Sequence, residues 1–141
     1  MKMSLQGAYS ILLEFSENGK FLAVLINETK FSLYDVKDVY PRDLIAKMSE
    51  RKDADKIFPN SYKKMKFLSN SESIAFWSEL DLCIYEQAED EYLKYRLDPL
   101  VSDEHSEILD LSMDSKGSYQ MILKRRNKNQ LDLVSLDDMI Y

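Results

Sequence analysis

With 141 residues, 45% of them apolar and 11% aromatic, the chain is long enough to bury one core and too apolar to stay disordered. Three glycines and three prolines exclude collagen-like and glycine-loop architectures. The net charge of −6 disfavours nucleic-acid binding by the whole domain, because phosphate must be met by Lys and Arg.

The first seven residues hold one Lys and no long apolar stretch, so they read as a mature start rather than a signal peptide. No apolar run approaches the ~20 residues that cross a bilayer. Residues 11–26 read as strand, turn, strand, with Asn18-Gly19 as the hairpin signal. A short loop, Asn27-Glu28-Thr29, leads to a third strand, Lys30 to Val36, in which Phe31 and Leu33 alternate with Ser32 and Tyr34. From Tyr40 to Ser49 the pattern turns helical: Pro41 stands near the start, and Leu44, Ile45 and Met48 share a face. This helix is expected to cover a sheet, and Asp53 to Ser61 to form a loop.

The hairpin pattern returns 52 residues on. Residues 67–76 lie over 15–24, with Phe67 at Phe15, Asn70 at Asn18 and Ala75 at Ala23. Phe15 and Phe67 are therefore both expected in the core. Leu80 to Glu86 supplies the next strand, and Tyr92 to Leu97 a fourth. About 46 residues further, Leu109, Leu111 and Met113 alternate, Asp114 to Gly117 turn, and Ser118 to Leu123 and Gln130 to Leu136 form strands. The expected fold is a single all-β, mainly antiparallel domain over 1–141. It holds three modules of three to four strands at about 7–39, 62–98 and 106–138, with a helical insertion at about 41–52.

Charge is unevenly placed. Residues 86–114 hold ten carboxylates against Lys94 and Arg96, whereas the rest of the chain holds 15 acids and 17 bases. The functional reading of this acidic segment is a surface that meets a basic protein. Its candidate contact residues are Glu89, Asp90, Glu91, Asp103, Glu104 and Glu107. Trp77 joins them as a hot-spot candidate on condition that it is exposed. The basic runs Lys63-Lys64-Met65-Lys66 and Lys124-Arg125-Arg126-Asn127-Lys128 read as charges that keep edges and loops soluble.

Candidate chemistry is sparse. His105 is the only histidine and Cys83 the only cysteine, which excludes His-pair and Cys-cluster metal motifs. Cys83, inside Leu82-Cys83-Ile84, reads as core; His105, among acids, reads as solvated. One cysteine fits a reducing compartment, so the cytoplasm is the expected location. The sequence carries no G-x-S-x-G, phosphate-loop, dinucleotide or EF-hand pattern, and neither enzymatic activity nor a cofactor is expected.

At Phe15-Ser16-Glu17-Asn18-Gly19-Lys20-Phe21-Leu22-Ala23 and Phe31-Ser32-Leu33-Tyr34-Asp35-Val36 the chain resembles WD40-like β-propeller blades. Residues 113–119 and 131–136 repeat the pattern, and Leu33-Tyr34-Asp35 stands where the strict repeat has Trp-Asp. The resemblance implies protein binding rather than catalysis. Propellers close with at least four blades, so three modules imply a homodimer, a part of a larger protein, or another β meander. Small size, acidity and the lack of a catalytic set favour an immunity protein that neutralises a toxin, such as a nuclease, through the acidic segment. The alternative is a propeller-like scaffold, or a subunit of a larger complex.

Overall fold

A computed structural model of the protein describes residues 7–48, 52–69, 71–95 and 104–136, the side chain of Met48 excepted. The chain is all-β, with blade-like antiparallel sheets and one short helix, and divides into two compact units, Met1–Tyr62 and Lys63–Tyr141.

The first unit is one four-stranded sheet in sequential order: β1 (Ile11–Phe15), β2 (Phe21–Ile26), β3 (Lys30–Asp35) and β4 (Lys52–Ile57). At the β1–β2 turn Gly19 alone takes positive φ, at 74°; its N–H donates to Ser16 O at 2.9 Å. The two-residue hairpin signature sits one turn later. Asn27 and Glu28 have φ of 54° and 64°, and Thr29 N–H donates to Ile26 O at 3.2 Å. β2 is buried on both faces, and its unbroken run Leu22-Ala23-Val24-Leu25 suits that position. Pro41–Asp43 forms a 3-10 turn that runs into α1 (Leu44–Met48), where Leu44 packs on Leu22, Val24, Tyr34 and Val36.

Two expectations fail in this unit. Residues Lys52–Ile57 are a strand, not a loop: β4 is an almost fully exposed edge held by its backbone pairing to β3, so it needs no apolar alternation. Phe15 is 55% exposed, whereas its counterpart Phe67 is 6% exposed. β1 is an edge strand: Ile11, Leu13 and Phe15 share a face with Ile26, Val24 and Leu22, but lie at its uncovered margin.

The second unit holds two sheets. One is β5 (Lys64–Phe67), β6 (Ser73–Ser78), β7 (Asp81–Glu86) and β8 (Glu91–Tyr95), in that order; the other is β11-β10-β9, from β9 (His105–Met113), β10 (Tyr119–Arg125) and β11 (Leu131–Ser135). β6 is buried at five consecutive positions, with Ile74, Ala75 and Phe76 fully enclosed. Ala75, Trp77, Leu82 and Ile84 from the first sheet meet Ile108, Leu111, Met121 and Leu123 from the second in one core. Each of the Leu, Ile and Met side chains contributes about 1.5–3 kcal/mol relative to exposure. Cys83 is buried, as its apolar strand implies.

Two irregularities in the β9–β10 register, at Ile122/Leu123 and Lys124/Arg125, bend β9. The core is also where Trp77 ends up. It is 4% exposed, and its indole N–H donates to Ile108 O at 3.0 Å. A β6 position that pairs with Lys64 and Leu82 lies on the face that meets the other sheet, so Trp77 is a packing residue and not a contact hot spot.

Candidate protein-binding surface

Glu89, Asp90 and Glu91 sit at the exposed tip of the β7–β8 hairpin. The tip turns because Asp90 adopts φ of 50° and donates its N–H to Gln87 O at 3.1 Å. Tyr85 stacks on Tyr92, with centroids 4.4 Å apart, and its hydroxyl donates to Asp90 Oδ1 at 2.8 Å. The aromatic pair ties the acidic tip to the sheet, so its carboxylates project from an ordered base.

Beside the tip lies an open cavity of about 270 Å³, lined by Glu72, Glu86, Glu89, Met113 and Tyr119 among others. Tyr119 begins β10, opposite Met113, at the end of its sheet that lies against the end of β7. Its hydroxyl donates to Glu86 Oε1 at 2.9 Å. Burial, with the Glu86 carboxylate adding to it, pushes that hydroxyl up to about 12, which keeps it a neutral donor. Three carboxylates, a phenol and a thioether around one opening suit the head and stem of a Lys or Arg from a partner.

Glu104 and Glu107 stand elsewhere. Glu104 immediately precedes β9 and Glu107 is its third residue, six positions or about 20 Å of extended strand from Met113. Glu107 is in register with Lys124. Arg126 N–H donates to Glu104 O at 2.8 Å, and Glu104 shares a cavity of about 330 Å³ with Arg125, Arg126, Asn127 and Lys128. At this end basic side chains outnumber acidic ones. Among the described residues the candidate acids therefore fall in two groups, one at the tip of the β7–β8 hairpin and one at the start of β9 in the neighbouring sheet. Asp103 lies outside the described residues. Asp110, between the two ends, bonds Lys66 Nζ at 3.0 Å.

His105 corrects the sequence reading as well. It is 2% exposed, with Nε2 2.8 Å from Asp132 Oδ2, and the same oxygen accepts Arg125 Nε at 2.9 Å. An acidic neighbourhood in sequence suggested solvent, but the first residue of β9 is enclosed by β10 and β11. Among the described residues no group of three or more His, Cys, Asp or Glu side chains is placed to hold a metal ion.

No protein-family model and no curated protein sequence matches the chain. Solved structures do. The β-propeller domain of Cps50 (Swd1) from Myceliophteria thermophila is 13% identical with a TM-score of 0.55, over 89% of this chain and 38% of that one. Hydrazine synthase from Kuenenia stuttgartiensis is 11% identical with a TM-score of 0.53, over 92% and 35%. Hsv2 from Kluyveromyces lactis is 13% identical with a TM-score of 0.45, over 89% and 33%. At these identities the likeness concerns the fold alone, and the chain spans little more than a third of the length of the structures it matches. Sequential antiparallel sheets of three or four strands are consistent with propeller-like blades. No helix among the described residues is long and apolar enough to cross a membrane.

Glu72 and Tyr119 were not singled out by sequence reasoning. They are 47 positions apart, in different modules, and no local pattern brings them to one opening.

Proposed function

We propose that the chain is a non-catalytic protein-binding module of propeller-like build, working as part of a larger assembly and holding a basic partner segment at the β7–β8 tip. The observation that carries this reading is the convergence of Glu72, Glu86 and Glu89 on one cavity beside the exposed Asp90 and Glu91. The likeness to a β-propeller domain supports a scaffold by analogy of fold, which is a weaker warrant than a site.

Toxin neutralisation is a narrower form of the same reading. With the described candidate carboxylates divided between the β7–β8 tip and the start of β9, an inhibitor would act through the tip. The test is affinity capture from the native host with the chain and its Glu89→Lys/Glu91→Lys variant, followed by binding measurements on the captured protein. The expected result is a basic partner whose association slows strongly in the variant and with added salt. A partner bound equally well by both would overturn the assignment of the tip. A captured nuclease or other toxin inhibited by the chain would select the narrower form.

A further inference from the structure

Each module sets its third strand in the same register against its second: Leu33 lies opposite Ala23, Ile84 opposite Ala75 and Leu133 opposite Ile122. Phe31, Leu82 and Leu131 correspond in the same way, opposite Leu25, Trp77 and Lys124. β3 and β7 are flanked on their far side by β4 and β8, and Phe31, Leu33, Leu82 and Ile84 are all buried. β11 has no such neighbour among the described residues. Its sheet ends there after three strands, and Leu131 and Leu133 are 61% and 71% exposed. The strand carries the apolar pattern of an interior strand in the position of an edge.

The other edges are built differently. β4 carries Lys52, Asp53, Asp55 and Lys56, β5 carries Lys64 and Lys66, and β8 carries Glu91 and Lys94. β9 is bent by its two irregularities, and β1 heads a sheet that already has four strands. Such charges and bends keep sheet edges from pairing. In β11 the single charge, Asp132, is held by His105 and Arg125. Those bonds also fix the register that keeps Leu131 and Leu133 on the outer face. The main chain adds a second condition. Arg125 N–H donates to Gln130 O at 2.9 Å, so Gln130 turns its main-chain groups toward β10. That direction alternates along a strand. The main-chain groups of Asp132 and Val134 therefore also face β10, whereas the N–H and C=O of Leu131, Leu133 and Ser135 point to the open edge.

We infer that β11 of one copy of this chain pairs antiparallel with β11 of a second copy, about a two-fold axis at Leu133. Leu133 then stands opposite its own counterpart and Leu131 opposite Ser135, so each outward N–H and C=O of the strand meets an acceptor or a donor. Asp132 falls opposite Val134, and no like charges meet. The exposed leucines of both copies gather on one face where the two three-stranded sheets join into one. One five-residue strand from each copy makes a contact at the small end of specific interfaces, so the dimer is weak and reversible. The contact involves the third sheet alone and is independent of the β7–β8 tip.

The test is sedimentation of the 141-residue chain across a concentration series into the high-micromolar range. The expected result is a reversible dimer that persists in the Glu89→Lys/Glu91→Lys variant, which separates this association from partner binding. Leu133→Pro removes an N–H that points to the open edge and leaves the bonds to β10 in place, so it should be monomeric. Unchanged fluorescence of the buried Trp77 is the evidence that this variant folds. Cross-linking reads the register directly. In a hydrogen-bonded antiparallel pair the Cα atoms stand about 5.5 Å apart, within reach of a disulfide. Leu133→Cys should therefore cross-link into a dimer with an added thiol oxidant, whereas Leu131→Cys, offset from its counterpart along the strand, should not. Should Leu133→Pro fail to fold, the two cysteine variants decide alone. A wild-type chain that stays monomeric throughout would overturn the inference. So would a folded Leu133→Pro variant that still dimerises, or cross-linking at position 131 as ready as at position 133.

Discussion

Asp132 receives His105 Nε2 at 2.8 Å across the third sheet, and the imidazole it receives is 2% exposed. A carboxylate oxygen only accepts, so the hydrogen resides on Nε2. His105 opens β9, and Asp132 lies in β11 opposite Leu123 of β10, so the bond clamps the two outer strands across the one between them. Arg125 Nε, at 2.9 Å from the same oxygen, completes the anchor from β10.

Replacing His105 by Leu keeps much of the volume and removes the charge-assisted bond. The expected loss is about 1.5–3 kcal/mol, the usual worth of a hydrogen bond to a charged group. Urea unfolding should show a lower midpoint at unchanged slope. A midpoint within error of the wild type would remove the clamp from the account of stability.

Acid should weaken the fold through the same residue. The His105 bond, then the Arg125 charge, hold the Asp132 carboxyl below its ordinary value of 3.8. A carboxyl depressed by folding contributes stability that is present above the unfolded value and lost as pH falls through the folded one. Asp114, lowered chiefly by the Ser118 N–H, adds to the same limb. Asp132→Asn should flatten the fall in stability below about pH 4, followed by fluorescence-monitored unfolding at stepped pH.

At the alkaline end Tyr119 acts with the opposite sign. Its hydroxyl titrates at 10.0 when free and at about 12 in the fold. Between those values the unfolded chain has released a proton that the folded chain keeps, so stability falls as pH rises through that window. Phenolate absorbance in the native protein should show one late-titrating tyrosine fewer in Tyr119→Phe, and that variant should lose less stability from pH 10 to 12.

Phe15 and Phe67 occupy equivalent places in the repeat and should behave differently. Phe67→Ala empties a buried site and should cost about 3–5 kcal/mol. Phe15→Ala removes a ring that is 55% exposed, so the fold should lose about 1 kcal/mol or less. Parallel chemical denaturation of the two variants checks the contrast.

Strand content, hairpin order and the repeat were legible in the sequence because period-2 alternation and turn residues are local signals. That β2 and β6 are closed on both faces was not read from the sequence, because burial of the second face depends on strands distant in the chain. The strand Lys52–Ile57 left no local signal, because an edge strand is held by main-chain bonds that any side chain tolerates. At the candidate site the hairpin tip Glu89 to Glu91 was legible as a charge cluster, but its company was not.

Local chain chemistry by itself determined that this protein is a series of antiparallel hairpin sheets with an acid-rich middle segment. Tertiary structure alone decided which side of each strand meets the core, and where along the sheets the charges come to rest. That is why Trp77 and His105 are enclosed, why Phe15 is exposed while Phe67 is buried, and why Glu89 lines a cavity with Tyr119 while Glu107 stands opposite Lys124. The physical reason is that alternation specifies two faces without saying which is buried. That choice belongs to contacts between strands distant in sequence, such as Ala75 and Ile84 against Leu111 and Met121.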